Sequence, residues 1–273
     1  MTICIAAECF NDANRCLILC TDWRVSSALG RSDTKVKHIP IRKNWWALTA
    51  GNESDILALR LCLSRHFLGA KEIDETSACV LVRSALTDRK REKIEEFIQG
   101  RYAISYADFL NFGKDKLPPE AHREAVSLIA QIQVGASLIV AGFNPDGTVM
   151  LLDTNEQGRV FVREDFTTIG EGSYLAQAAL LQREYTSASE LAAAIYCVYE
   201  AKKISERVTS VGEDEQLSIL YTDGTFRDVS DAGLKLLENT FNKFGPQKVK
   251  KSELSAVESL LGKSTLRSAR KLR

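Results

Sequence analysis

Apolar residues fall into short runs separated by polar turns, the pattern of β-strands joined by tight connections. The first two runs are joined by the polar residues 11–15 and predict a hairpin that starts at residue 2. A third run ends at Gly51, and Asn144-Pro145-Asp146-Gly147 is a strong turn signal between two later runs. The predicted strands cover residues 3–9, 16–22, 45–50, 137–143, 148–153, 159–163, 166–169, 217–221 and 225–229.

Longer stretches with apolar residues at helical spacing predict α-helices between these strands. Pro118-Pro119 suits the first turn of one helix, and Ser187 and Glu190 have the spacing of a capping box. Residues 99–117 are polar and aromatic without a long period, and they predict no regular element. The predicted helices cover residues 53–68, 76–97, 118–132, 173–184 and 187–205, and two amphipathic stretches follow Ser230.

Strands and helices are grouped along the chain and do not alternate. Grouped strands with antiparallel turns indicate stacked sheets covered by helices, an α+β fold without βαβ units. The segment Gly170-Glu171-Gly172-Ser173 precedes a predicted helix, but the GxGxxG pattern is incomplete, so no nucleotide-binding loop is predicted.

Composition argues against several classes of partner. The 273 residues include 36 Lys and Arg against 36 Asp and Glu, so no overall field favours nucleic acid or an anionic membrane. The apolar runs are too short to span a membrane, and the start of the chain lacks the features of a signal peptide. The seven cysteines form an odd set without a small-domain disulfide pattern, which predicts reduced thiols and a cytoplasmic location.

Four of these cysteines, at positions 4, 9, 16 and 20, could be read as metal ligands. They contain no CxxC pair, and Cys16 and Cys20 alternate with Ile18 on one face of an apolar run. We therefore interpret them as buried apolar side chains and predict no metal and no cofactor.

Thr2 carries the candidate chemistry, because removal of the initiator Met would leave a free α-amine beside a hydroxyl. The amine could take the hydroxyl proton while the Oγ attacks a carbonyl. A free α-amine has a pKa of about 7.7–8.0, so part of it is unprotonated near neutrality. A nearby lysine would lower that pKa, and a carboxylate would hold the lysine in place. Threonine at position 2 is common, so the hypothesis depends on such partners.

Several segments occur in an informative order. The chain starts Thr-Ile-Cys-Ile-Ala, and Asp22 lies in Cys-Thr-Asp-Trp-Arg-Val-Ser; Lys35-Val36-Lys37-His38-Ile39 comes next, followed by Ala-Gly at 50–51 before a helix. Later segments of the same kind are residues 140–144, 152–153, 168–174, 210–212 and 221–224. This order, over residues 2–229, resembles the proteasome β-type subunit family, including its bacterial peptidase and ancestral-subunit branches.

The resemblance implies a four-layer αββα sandwich of two antiparallel sheets, the N-terminal nucleophile hydrolase fold, over residues 2–229. Residues 230–273 would form a helical, basic C-terminal extension. The implied catalytic residues are Thr2 as nucleophile and base, Lys35 tuning it, Asp22 orienting Lys35, Gly51 as the oxyanion-hole donor, and Ser210. Ser26, Thr49 and Gly51 would line the substrate cleft. Lys37 is an alternative to Lys35, which we prefer because Val36 and Ile39 then fit the family spacing.

Each assignment also has a plainer interpretation: Asp22 as a turn acid, Lys35 as a solvated lysine, Gly51 as a helix-entry turn. Two departures from the family pattern reduce the expectation of activity. Glu171 stands where active members carry Ser between two glycines, and Arg207, with Glu206 beside it, stands where they carry Asp three residues before Ser210. An acid at position 171 could pair with the amine, raise its pKa and weaken it as a base.

The leading hypothesis is a threonine peptidase that cleaves peptides or unfolded proteins within a homo-oligomeric assembly, with an unfoldase partner left open. The alternatives are a catalytically inactive proteasome-fold scaffold subunit and an N-terminal nucleophile amidohydrolase acting on small amides. The basic tail, with nine Lys and Arg against two Glu over residues 242–273, predicts docking to a neighbouring subunit or a solvated arm. It has little aromatic content, so nucleic acid is not the expected partner.

Overall fold

The computed structural model describes residues 2–27, 30–33 and 37–246, with side chains described outside residues 25–36. In chain order the strands are β1 (Ile3–Asn11), β2 (Asn14–Asp22), β3 (Arg24–Ser27), β4 (Gly30–Asp33), β5 (His38–Arg42), β6 (Trp45–Gly51), β7 (Ala136–Phe143), β8 (Val149–Thr154), β9 (Val160–Arg163), β10 (Phe166–Gly170), β11 (Glu215–Tyr221) and β12 (Phe226–Asp228). The helices are α1 (Glu53–Gly69), α2 (Glu75–Tyr102), α3 (Tyr106–Lys116), α4 (Pro119–Gln131), α5 (Ser173–Gln182), α6 (Leu191–Ser205) and α7 (Asp231–Phe244).

Two antiparallel five-stranded sheets form the centre of the fold. The first sheet has the order β10-β1-β2-β11-β12, and the second has the order β5-β6-β7-β8-β9. A separate hairpin pairs β3 with β4. The central strands β1 and β2 are buried on both faces, which explains why they read as continuous apolar runs in the sequence.

The sheets pack face to face through apolar side chains from both. Cys4, Leu19 and Leu220 from the first sheet meet Leu48 and Ile139 from the second in one buried cluster. Helices α5 and α6 cover the outer face of the first sheet, and α1 and α2 cover the outer face of the second. This arrangement confirms the predicted four-layer αββα sandwich of the α+β class.

Residues 99–117, for which the sequence predicted no regular element, are largely helical. Helix α2 continues to Tyr102, and α3 begins after Ser105, whose side chain accepts a hydrogen bond from the backbone N–H of Asp108. The apolar side chains of this segment pack into a small local cluster and not into the main core. Phe109 of α3 is buried there against Ile94 and Ile98 of α2. The segment therefore forms a helical addition at the end of α2.

Among the described residues, the other predicted helices and strands are present, with boundaries shifted by a few residues. The second amphipathic stretch predicted after Ser230 lies outside the described residues. The predicted capping box before α6 is wrong: Glu190 is the N-cap residue without a side-chain cap, and the backbone N–H of Ser187 donates to Asp165 instead. One compact unit ends at Ser230 and a second begins at Asp231, and α7 lies in the second. The basic residues beyond 246 lie outside the described residues. Among the described residues, no helix combines the length and apolar character needed to cross a membrane.

Candidate functional site

Thr2 and Asp22 lie together because β1 starts where β2 ends in the antiparallel register, which pairs Cys4 with Thr21. Asp22 is completely buried. Its Oδ1 accepts hydrogen bonds from the Thr2 hydroxyl and from the backbone N–H of Ile3 at 3.0 Å, and its Oδ2 accepts from the N–H of Gly212 at 2.9 Å. A buried carboxylate requires several donors, so these contacts fix the position of Asp22 beside the hydroxyl.

Lys37, directly before β5, completes this cluster. Its Nζ donates to Asp22 Oδ1 at 2.6 Å and to the Thr2 hydroxyl oxygen. The Lys37 side chain is only 8% exposed, so its charge is balanced chiefly by Asp22. Lys35, the lysine that the family spacing favoured, lies outside the described residues. The geometry therefore favours the alternative lysine that the sequence left open.

The Thr2 hydroxyl lies between an ammonium and a carboxylate, donating to one and accepting from the other. This arrangement can stabilise negative charge that develops on the oxygen during attack on a carbonyl. Cys4, two residues away, does not compete as a nucleophile. Burial, together with nearby Asp22 and partly offset by Lys37, raises the pKa of the Cys4 thiol to about 12.

Two glycines allow the backbone to approach closely around Thr2. Gly51 has φ +128°, and a Cβ at this position would lie 2.6 Å from the carbonyl oxygen of Gly135. Gly170 has φ +96°, and a Cβ there would lie 2.2 Å from the carbonyl oxygen of Thr2. Side chains are excluded at both positions, so the two chain segments that border Thr2 must carry glycine.

A cleft of about 580 Å³ opens beside Thr2, where strands of the two sheets begin and end. The described residues that line it are Thr2, Ala50, Gly51, Ser137, Asn155, Glu156, Gln157, Gly170 and Glu171. Thr2 and Gly51 were predicted from the sequence as site residues, and Ser137 and residues 155–157 were not. The segment 155–157 lies between two predicted strands, and its place beside Thr2 depends on how the two sheets stack, which no local pattern encodes.

Glu171 lies at the site, as its sequence position suggested. The first sheet pairs Ile3 with Gly170, which brings the next residue, Glu171, beside Thr2. The buried Ser210 donates its hydroxyl hydrogen bond to Glu171 Oε2 at 2.5 Å. The family pattern would place two hydroxyl-bearing residues near the amine. Glu171 stands at the position of the first, and it accepts a hydrogen bond from the second, Ser210.

Glu206 belongs to a different cluster. It accepts from the fully buried Lys202 at 2.6 Å and pairs with Lys203 at 2.8 Å, while Glu215 also pairs with Lys202 at 2.5 Å. This group ties the end of α6 to β11. Glu206 therefore has a structural role here. It does not take the place of the Asp that active members carry three residues before Ser210.

For Ser26 and Thr49, the two side chains expected to bind substrate, the structure gives no direct contact with the cleft among the described residues. Ser26 lies in β3, and its side chain is outside the described set. Thr49 is buried in β6 on the strand face opposite Ala50, and its carbonyl accepts a hydrogen bond from the Cys4 thiol at 3.4 Å. Their roles in substrate binding stay predictions. Within the described part of the chain, His, Cys, Asp and Glu side chains form no group that could hold a metal ion.

Comparison with known proteins gives one similarity, to a family model. The model described as proteasome subunit matches residues 115–215, a segment of less than half the chain that runs from the end of α3 to the start of β11. This segment includes Glu171 and Ser210 but not Thr2, Asp22, Lys37 or Gly51. A comparison with curated proteins gave no match. The matched segment is therefore similar to proteasome subunits, and the two stacked five-stranded sheets are consistent with the fold of that family.

Proposed function

We propose that this protein is a proteasome-like threonine peptidase in which Thr2, freed by removal of Met1, attacks peptide bonds. The observation that carries the proposal is the contact of the buried Thr2 hydroxyl with both Lys37 and Asp22 at the base of a cleft. The match to the proteasome subunit model supports hydrolase chemistry in general, and this cluster supports the particular nucleophile.

In the proposed reaction, Thr2 Oγ forms a bond to the carbonyl carbon of the substrate and its proton passes to the α-amine. The Gly51 N–H stabilises the resulting oxyanion, and Lys37 offsets charge that develops on Oγ. The tetrahedral intermediate then expels the substrate amine, which takes the proton from the Thr2 ammonium. A water molecule, activated by the same amine, hydrolyses the acyl ester and releases the free enzyme.

Assembly is the second part of the proposal. Subunits of this family assemble into oligomeric rings. Helix α1 buries Leu59 and Leu63 against the second sheet, yet Leu57, Leu61 and Leu68 are 50–69% exposed on its outer side. An exposed leucine stripe of this kind is typical of a protein interface. We propose a homo-oligomeric, cytoplasmic assembly that takes peptides or unfolded proteins, with an unfoldase partner left open.

One observation favours a second candidate, an inactive scaffold subunit. The hydrogen bond from Ser210 to Glu171 places a carboxylate beside Thr2. Such a carboxylate would hold the freed α-amine in its protonated form and weaken it as a base. The scaffold would assemble in the same manner but would not cleave.

Hydrolysis of an internally quenched peptide library by wild type, Thr2→Ser and Thr2→Ala separates these candidates. The peptidase proposal predicts cleavage by wild type and by Thr2→Ser, none by Thr2→Ala, and the same oligomeric mass for all three. Equal cleavage by Thr2→Ala would refute the role of Thr2. An inert wild type confirmed to lack Met1 would favour the scaffold, and hydrolysis confined to small amides would favour an amidohydrolase.

A further inference from the structure

Two carboxylates line the cleft beside Thr2, and each comes from a different sheet. Glu156 lies in the turn between β8 and β9, and Glu171 lies between β10 and α5. No lysine or arginine is present among the described residues that line the cleft. The chain as a whole has a formal net charge of zero, so this negative charge is a local feature of the cleft.

Both carboxylates retain oxygens that can accept further hydrogen bonds. Glu171 accepts from Ser210 through Oε2, and Oε1 has no partner among the described residues. The backbone of Glu156 is held by the N–H of Val134, which donates to the Glu156 carbonyl at 2.9 Å. Its side chain is exposed and contacts no donor in the described part of the chain. Glu156 is thus fixed at its backbone with a free carboxylate.

The lysine that contacts Thr2 is not among the described residues that line the cleft. Lys37 is buried below the cleft and already pairs with Asp22 at 2.6 Å. The nucleophile therefore contacts a balanced ion pair, while the charged side chains among the described residues that line the cleft are two acids. A cleft lined by one sign of charge raises the local concentration of ligands of the opposite sign.

We propose that the cleft selects peptides carrying an arginine or lysine side chain close to the scissile bond, with Glu156 and Glu171 as the specificity-determining residues. The inference rests on the proposed peptidase function and names its substrate class. A guanidinium presents several N–H donors in a plane and suits carboxylate acceptors. The proposed specificity also gives Glu171 a function at the position where the family pattern has serine.

Two internally quenched peptide libraries test the specificity, identical except that every arginine in one is citrulline in the other. Citrulline keeps the length and shape of arginine but is uncharged. Because an exposed ion pair contributes up to about 1 kcal/mol, we expect about three- to fivefold in kcat/KM from each carboxylate and roughly tenfold overall. Raising the salt from 50 to 500 mM should reduce this preference, since the two acids are exposed to solvent.

Glu156→Gln is the critical variant, because it removes one charge while keeping the shape of a residue that makes no other described side-chain contact. It should lower the ratio of kcat/KM between the arginine and citrulline libraries three- to fivefold. Glu164→Gln is the matched control, an exposed acid outside the cleft lining, and should leave this ratio unchanged. Equal cleavage of both libraries by wild type, or an unchanged preference in Glu156→Gln, would overturn the inference.

Binding to Thr2→Ala protein gives a readout that does not depend on catalysis. Fluorescence anisotropy with labelled arginine and citrulline peptides should show tighter binding of the arginine peptides, reduced by adding Glu156→Gln. If wild type cleaves nothing but this difference in binding is present, the proposed function fails and the cleft specificity stands. If wild type cleaves and the binding difference is absent, only the specificity is wrong.

Discussion

Replacement of Lys37 by methionine is the perturbation that most sharply tests the role of the cluster at Thr2. Methionine keeps an unbranched, buried side chain but removes the ammonium that contacts Thr2 Oγ and Asp22. Asp22 retains three donors, namely the Thr2 hydroxyl and the backbone N–H groups of Ile3 and Gly212. The variant should therefore fold, with its nucleophile in place but without the adjacent positive charge.

The expected loss of rate follows from the role assigned to the ammonium. Assistance to proton transfer and charge development is worth about 10²–10⁴ in rate, or roughly 3–5.5 kcal/mol in activation free energy. Removing one member of a buried ion pair costs about 3–5 kcal/mol in stability, and the remaining donors to Asp22 should keep the cost near 3. In a domain of this size that lowers Tm by roughly 6–12 °C, so the assay must run well below the transition.

Lys35→Met is the matched control, since Lys35 is the lysine that the family spacing favoured. We expect Lys37→Met to lose at least a hundredfold in kcat against a peptide substrate, with oligomeric mass unchanged. Lys35→Met should stay within a factor of a few of wild type. If Lys35→Met abolishes cleavage and Lys37→Met does not, the assignment of the lysine is wrong. If neither variant loses activity, the proposed chemistry at Thr2 is wrong as well.

Three further predictions concern other parts of the molecule. Against uncharged peptides, Glu171→Ser should raise kcat/KM at neutral pH and move the lower limb of its pH profile to lower pH, because an acid stabilises the protonated amine and its removal lowers the amine pKa. An unmoved limb would contradict this. Burial lowers the pKa of His38 from an ordinary 6.5 to about 4, so the imidazole stays neutral in the folded state. The free energy of unfolding should therefore fall by about 3 kcal/mol as the pH drops from about 6.5 to 4. Denaturant titrations should show a smaller pH dependence for His38→Gln than for wild type, and an equal pH dependence would refute this role of His38. Light scattering of Leu61→Glu should show a smaller mass than wild type, with Val126→Glu unchanged, and equal masses for both variants would exclude α1 as an interface.

The sequence predicted the sandwich well because its strands are buried on both faces and its turns carry strong local signals. Strands β1 and β2 read as continuous apolar runs, and the turn at Asn144-Pro145-Asp146-Gly147 separates β7 from β8. Thr2 was singled out by its position after Met1, Asp22 and Gly51 were identified through the resemblance to the proteasome β-type subunit family, and all three lie at or beside the end of a strand. The ends of paired strands meet in space, so their spacing along the chain carries information about the site.

The choice of lysine and the cleft wall were harder to predict. Lys35 and Lys37 are two residues apart, and spacing alone does not determine which one reaches a buried carboxylate. Lys37 has a signal that could have been used: it directly precedes β5, whose His38 pairs with Leu48 three residues before Gly51. Glu156 had no comparable signal, because its position depends on how the second sheet stacks on the first.

The helical addition was missed for a different reason. Helix α3 buries Phe109 against α2 and leaves Leu110 and Phe112 more than half exposed, so its apolar residues do not form a single stripe. A periodicity search responds to a face buried against one large core, and a small local cluster gives a weak signal. The N-cap at Ser105 was the only strong local indication of this helix.

The central claim is that Thr2 becomes the N-terminal residue and acts as the nucleophile. Intact-protein mass spectrometry before and after treatment with a peptide epoxyketone tests it most directly. The account predicts a starting mass that lacks Met1, a single adduct per chain located at Thr2 by peptide mapping, and no adduct on Thr2→Ala. A chain that retains Met1, or one that lacks Met1 and forms no adduct at Thr2, would contradict it.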